Sequence, residues 1–108
     1  MSQWQQRHHA GLKCVTLITV RFTWDAAKAR SNWTKHRVSF GEAATVFADP
    51  LALYLQDEAR PERGILIGQS DAARLLFTVF LEIVDDEIRL VSARRASAHE
   101  RKRYEEGV

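Results

Sequence analysis

The ten residues Arg74–Ile83, RLLFTVFLEI, constrain the fold more than any other stretch of the chain. A half-buried strand alternates apolar and polar side chains, because successive residues point to opposite faces. Here both parities are apolar: Leu75, Phe77, Val79 and Leu81 on one, Leu76 and Phe80 on the other. Such a segment reads as a central strand, with neighbours on both edges and cover on both faces. The chain has 108 residues, enough for one small domain and no second. With 45% hydrophobic and 28% charged residues, it can build a modest core around that strand and stay soluble.

The elements around it follow from the hydrophobic period. VRFTW, from Val20, reads as a first strand. Asp25 is an N-cap, and AAKARSNWTKH reads as a helix with Ala26, Ala29 and Trp33 on one face and Lys28, Asn32, Lys35 and His36 on another. Ser39-Phe-Gly-Glu42 has the spacing of a capping box. It opens a second helix whose Phe40, Ala43, Ala44 and Phe47 make an i, i+3, i+4, i+7 apolar stripe, closed by Asp49-Pro50. The period then changes to two. LALYLQ places Leu51, Leu53 and Leu55 on one side, and RGILIG, RLLFTVFLEI and EIRLVSAR are further strands, with a tight turn at Asp85-Asp86. Ser97-Ala-His-Glu100 is a second capping box before a terminal helix. The order is β-α-α, then an antiparallel β-meander, then a C-terminal helix. This is an α+β plan, and the expected packing gathers the helices on one face of the meander.

Composition narrows the function classes. The net charge of +2 is weak for a dedicated DNA binder, yet cations gather toward the helical ends of the pattern while Asp57, Glu58, Asp85, Asp86 and Glu87 mark turns. The single cysteine, Cys14, allows no internal disulfide and no cysteine zinc site, and fits a reducing compartment. No apolar run reaches the roughly 18 residues of a membrane span, so no membrane partner is expected and the localisation expected is cytoplasmic. Residues Met1–Lys13 are polar, Gln-rich and aperiodic, as a flexible tail would be.

The candidate chemistry lies in SARRASAHERKRYEE, Ser92–Glu106, and in the Lys35-His36 pair. Arg94 and Arg95 sit where the last strand gives way to the last helix. They can form bidentate contacts to phosphate, but a continuing strand points them to opposite faces, so only one enters a given site. His36 has a pKa class suited to proton transfer near neutral pH; as a helix C-terminal cation it also has a purely structural reading. Glu42 and Glu100 are carboxylates at the third position of their capping boxes, where satisfying the N-cap N–H is the stronger reading. Tyr104 can donate a proton or anchor the last helix. His99 reads as solvated, and Trp33, Phe40 and Phe47 as core. Lys28 and Arg101 add positive charge of the kind that attracts a phosphate backbone. No P-loop, paired-carboxylate metal motif or nucleophile elbow is present, and neither metal nor cofactor is expected.

From Phe22 to Glu106 the sequence resembles the BrnT family of toxins from bacterial type II toxin–antitoxin systems. FTWDAAKARSNWTKHRVSFGEAATVFADP, RGILIGQS and IRLVSARRASAHERKRYEE carry the resemblance, through the pattern W-D, K-x-x-x-N, K-H-x-V-S-F, A-x-x-V-F-x-D-P, I-G, S-A-R and E-R-x-x-Y. It implies a RelE-like ribonuclease fold over residues 20–108, with 1–19 as an extension outside the pattern. It also implies a BrnA-type antitoxin partner whose own domain binds DNA, so that DNA is met only indirectly. One departure is informative: the family usually has Gly after Lys-His, where this chain has Arg37. A left-handed helix end at Arg37 would cost about 1 kcal/mol.

The reaction expected of such a chain is metal-independent attack of the RNA 2′-hydroxyl on the neighbouring phosphate. It assigns His36 as base, Arg94 or Arg95 as clamp on the phosphorane, and Lys35 as further positive charge, with Glu42 and Tyr104 as reserve base and proton donor. The rival expectations are an α+β binding module that docks an antitoxin or nucleic acid without cutting it, and an inactive relative that keeps only antitoxin binding.

Overall fold

The structure, a computed structural model, describes residues 20–83 and 86–107. The 1–19 extension with its expected tail, and Asp85 of the expected turn, lie outside the described residues. Strand β1 (Arg21–Thr23) leads to helix α1 (Ala26–His36), helix α2 (Phe40–Thr45) and a 3₁₀ turn (Val46–Ala48). Strands β2 (Leu53–Gln56), β3 (Arg63–Gln69), β4 (Leu75–Ile83) and β5 (Glu87–Arg95) precede helix α3 (Ala98–Glu106). β2 to β5 form the expected antiparallel meander, and β1 adds to it in parallel beside β5, giving the order β1-β5-β4-β3-β2. Leu51 falls in the turn before β2 rather than on the strand, and is exposed.

β4 lies at the centre, and its two parities feed two apolar layers. Leu76 and Phe80 join Leu66, Ile88, Leu90 and Ala93 under Val38, Phe40, Ala43, Val46 and Phe47 from the α1–α2 region. Phe47 meets both Phe22 and Phe80, with ring centroids 5.1 and 5.0 Å apart. Gly64 on β3 makes room for this layer: a Cβ there would stand 2.7 Å from Phe80 Cζ and 3.0 Å from Tyr54 Cε1. Leu75, Phe77 and Val79 point the other way, with Ile65 and Ile67, and α3 packs on that side. Helices therefore cover both faces of the sheet, not one. The doubly apolar β4 requires this, because a bare second face would leave Phe77 and Ile67 in water.

β5 carries one extra residue. Val79 pairs with Ser92 but Phe80 with Leu90, so Val91 bulges out. The bulge puts Leu90 and Ala93 on the same inner face although three positions separate them. It therefore directs Arg94 toward α3 and Arg95 toward the α1–α2 side.

α1 is rotated from the expected orientation. Asn32, not Trp33, faces inward: Asn32 is 6% exposed and Trp33 47%. The Asn32 amide donates to Val38 O (2.9 Å) and Ala93 O (2.8 Å) and accepts from Ala93 N–H (3.0 Å). β1 pairs with β5 only as far as Arg89, so the backbone of Ala93 has no strand on its outer side. The Asn32 side chain supplies both hydrogen bonds that a strand would have made. Trp33 instead lies on the surface beside the Arg37 guanidinium, 5.5 Å from ring centroid to Cζ.

Candidate active site

The end of β5, the start of β4 and the end of α1 meet at one rim of the sheet. α1 runs in the same direction as β5: it begins just after Thr23, which pairs with Arg89, and its Asn32 bonds Ala93. His36 is one turn beyond Asn32 on the same side of the helix, so it is carried toward Arg95. His36 and Lys35 are both exposed there. Lys28 sits about 12 Å back along the axis, two turns away near the Arg89 end, and is not brought to this rim.

Arg37 ends α1 in the left-handed conformation, φ 56° and ψ 36°, with its N–H donated to Trp33 O. The turn is thus the one a glycine would favour, made here by an arginine. Its carbonyl accepts from Arg74 Nη2 at 3.1 Å. Arg74 immediately precedes β4 and is gripped by Glu42, with Nε donating to Oε2 at 2.9 Å and Nη2 donating to Oε1. Ser70 Oγ donates to the same Oε2 at 2.7 Å and accepts from the N–H of Ala72 (3.2 Å) and of Arg74 (3.3 Å). Thr45 Oγ1, one turn after Glu42, accepts from Asp71 N–H at 2.9 Å. The β3–β4 turn is thereby tied to α2 at two points.

Glu42 differs from its sequence reading. Ser39 Oγ accepts from Glu42 N–H at 3.0 Å, but the Glu42 carboxylate turns to Arg74 and Ser70 rather than back to the Ser39 N–H. Its pKa is lowered from the ordinary glutamate value by the Arg74 hydrogen bonds, against a burial penalty, with help from Ser70 and the nearby Arg95 charge. The second capping box is complete: Ser97 Oγ accepts from Glu100 N–H, and Glu100 Oε1 accepts from Ser97 N–H.

The structure separates the two sequence-adjacent arginines. Arg94 lies over the Phe77 ring at 4.1 Å and makes a two-pronged ion pair with Glu100, both distances 2.9 Å. It fastens α3 to the sheet. Burial raises the Glu100 pKa, but Arg94 and Ser97 together outweigh it and leave the carboxyl below its ordinary value. Arg95 is exposed on the opposite face and, among the described residues, its side chain has no hydrogen-bond or ion-pair partner; the same holds for Arg101. Arg74, Arg95 and Arg101 line one cleft of about 260 Å³, with Ala73, Leu75 and Ala96 between them. Tyr104 follows Arg101 by one helical turn on α3, and its hydroxyl donates to Asp49 Oδ2 at 2.6 Å. Burial first, and Asp49 second, push the phenol up to about 12. Asp49 also accepts from the N–H of Leu51 and of Gln69, so Tyr104 ties α3 to the β2 and β3 ends. His99 is exposed, beside a separate groove under α3.

Sequence reasoning missed Arg74 and the inward role of Asn32. Nothing local marks Arg74, whose partner Glu42 is 32 positions away. Asn32 left a trace in the K-x-x-x-N spacing, which puts Lys28 and Asn32 on one side of α1, the side that His36 extends by one more turn. Among the described residues no three His, Cys, Asp or Glu side chains gather as metal ligands would.

Fold and cleft together define a class: a small α+β domain with helices on both faces of a five-stranded sheet, presenting unpaired guanidinium groups at one rim. The particular family follows from comparison. The family model described as "Ribonuclease toxin, BrnT, of type II toxin-antitoxin system" matches residues 24–100, and the chain belongs to this family. The fold matches the crystal structure of the Brucella abortus ribonuclease toxin BrnT with a TM-score of 0.61 and 22% identity, covering 73% of this chain and 99% of that one. Comparison with curated proteins gives no match.

Proposed function

We propose that this ribonuclease toxin cuts RNA by metal-independent attack of a 2′-hydroxyl on the adjacent phosphate, and that a BrnA-like antitoxin silences it by covering the same basic rim. The observation that carries the reading is the cleft where Arg95 and Arg101, unpaired, stand beside Arg74 at the rim to which α1 carries His36. The transition state is a phosphorane with more negative charge than the ground state. Guanidinium groups already in place stabilise it without reorganisation. In this reading neutral His36 takes the 2′-hydroxyl proton, and the 2′ oxygen bonds to phosphorus. The 5′ oxygen then leaves and takes up a proton, giving a 2′,3′-cyclic phosphate and a 5′-hydroxyl. Of the two arginines, Arg95 is the clamp, since Arg94 is committed to Glu100 and Phe77. Lys35 adds field strength, and Tyr104 anchors the fold. Among the described residues no helix is long and apolar enough to cross a membrane, which is compatible with the cytoplasmic site of action this reading needs.

Product end groups test the mechanism. Purified toxin incubated with RNA and excess EDTA should still cut, leaving 2′,3′-cyclic phosphate ends. Products with 5′-phosphate and 3′-hydroxyl ends, formed only with added magnesium, would make water the nucleophile and refute it. In the same assay Arg95→Ala should lower kcat/KM by roughly 30- to 1000-fold, equivalent to about 2–4 kcal/mol, while Arg94→Ala acts mainly through stability.

A further inference from the structure

We propose that Arg74 is a substrate-contacting residue of this cleft, holding an RNA phosphate together with Arg95, and that Glu42 is the positioning residue that aims it. The inference rests on the RNA-cleavage reading above and deepens it. It also gives Glu42 a different role from that of a base.

The argument begins with donor accounting. A guanidinium has five N–H donors in one plane. Arg74 uses Nε–H and both hydrogens of Nη2 on the Glu42 carboxylate and the Arg37 carbonyl. Among the described residues Nη1 has no partner, and the side chain is 25% exposed. The plane is fixed along one edge, so the direction of the opposite edge is fixed as well. That free edge belongs to a residue lining the cleft shared with Arg95 and Arg101. Three guanidiniums and no carboxylate line the cleft, and the neighbouring Glu42 is already shared between Arg74 and Ser70. The cleft therefore keeps a surplus of positive charge after its internal pairing is complete. A phosphate supplies the missing charge and has acceptor oxygens for two N–H groups at once.

Glu42 is poorly placed to be a base. Arg74 and Ser70 occupy its oxygens, and the lowered pKa makes it a weaker proton acceptor. What the Glu42–Ser70–Arg74 contacts do achieve is preorganisation. A long side chain that is already ordered loses little conformational entropy when a ligand arrives. The same network joins α2, the β3–β4 turn and the Arg37 turn that follows His36. Glu42 thus sets the spacing between the cationic cleft and the end of α1.

The test measures binding of a 2′-O-methyl oligonucleotide, which cannot be cut, over a series of sodium chloride concentrations, with cleavage of ordinary RNA in parallel. Arg74→Ala should make the slope of log K against log salt shallower by about 0.7, as expected for one lost contact to single-stranded RNA, and Arg95→Ala should do the same. Arg74→Lys keeps the charge without the planar fork, so it should restore the slope while kcat stays at least about tenfold down. Glu42→Gln should lower kcat but keep the rise of rate with pH. An unchanged slope in Arg74→Ala alone would overturn the contact; if Arg95→Ala also left it unchanged, the cleft would not be the RNA site and the underlying reading would fall too. Parental kcat in Arg74→Lys, or loss of the pH-dependent rise in Glu42→Gln, would overturn the positioning role. The Lys and Gln variants still decide the matter if Arg74→Ala folds poorly.

Discussion

Replacing Asn32 with alanine should be among the most damaging single substitutions in this chain, although an asparagine on a polar-looking helix invites no such expectation. The substitution strands three backbone groups: Ala93 N–H, Ala93 C=O and Val38 C=O. Val38 and Ala93 are both fully buried. A buried polar group left without a partner costs about 1–3 kcal/mol, and some solvent will enter the space the amide leaves, so the total should be about 3–5 kcal/mol. A domain of this size typically has about 5–15 kcal/mol of stability, so the loss is a large fraction of the whole. Urea titration followed by tryptophan fluorescence measures it, with the midpoint falling at nearly constant slope. Asn32→Asp provides an internal check on the geometry. It keeps an acceptor for Ala93 N–H but sets a carboxylate against two carbonyl oxygens. Its folded-state pKa must rise above the unfolded value. The stability of this variant should therefore be greatest below the ordinary carboxylate range and fall as pH rises through the raised pKa. A loss under about 1 kcal/mol in Asn32→Ala, or an Asp variant with the pH response of the parent, would refute the bracket between α1 and β5.

Three further outcomes are expected. Gly64→Ala should destabilise by about 1–3 kcal/mol in the same titration, because the new methyl meets the ring of Phe80, which is fully buried and has no room to retreat. Arg37→Gly should gain up to about 1 kcal/mol in thermal or urea unfolding, since glycine takes a positive φ without strain, less whatever the Arg37–Trp33 contact supplies. Tyr104→Phe should lose about 1 kcal/mol at neutral pH without changing the rate per folded molecule, a result that would exclude Tyr104 as proton donor. A phenol whose folded pKa is raised to about 12 stabilises the fold below the ordinary tyrosine value. That contribution should vanish as pH climbs from about 10 to about 12, so the stability difference between parent and Tyr104→Phe should narrow there.

The order of elements was legible in the chain because it depends on local periodicity and capping. Asp25, Ser39 and Ser97 each cap the helix they announce, and the apolar stripe of Phe40, Ala43 and Phe47 is the one that is buried. What stayed hidden depends on partners distant in sequence. The first strand pairs in parallel with the last, across more than sixty residues, and no period in either segment signals it. The face chosen by α3 is set by Arg94, Glu100 and Tyr104 reaching Phe77 and Asp49. Trp33 looked like core by residue type and spacing, but the hydrogen-bonding demand of Ala93 turns α1 so that the smaller, polar Asn32 faces inward. Of the candidate site, His36, Lys35, Arg95 and Arg101 could be named as cations of suitable chemistry. The cleft that Arg95 and Arg101 share with Arg74 required the tertiary structure.

The bulge at Val91 also bears on what kinds of change this protein can tolerate. Val91 is one residue more than the partner strand has at that step, so without it Leu90, Ser92 and Ala93 would run on opposite Phe80, Val79 and Thr78 as a regular ladder. Ala93 would keep its place beside Asn32, and Arg94 and Arg95 would stay opposite Phe77 and Leu76. Smoothing the bulge at unchanged length has the opposite effect. If Val91 paired with Val79, every later side chain would exchange faces, and the arginine that holds the helix and the arginine that faces the cleft would swap. The strand is therefore constrained in register more strictly than in length at this one position. Removal of Val91 should be less harmful than any change that draws Val91 into the ladder.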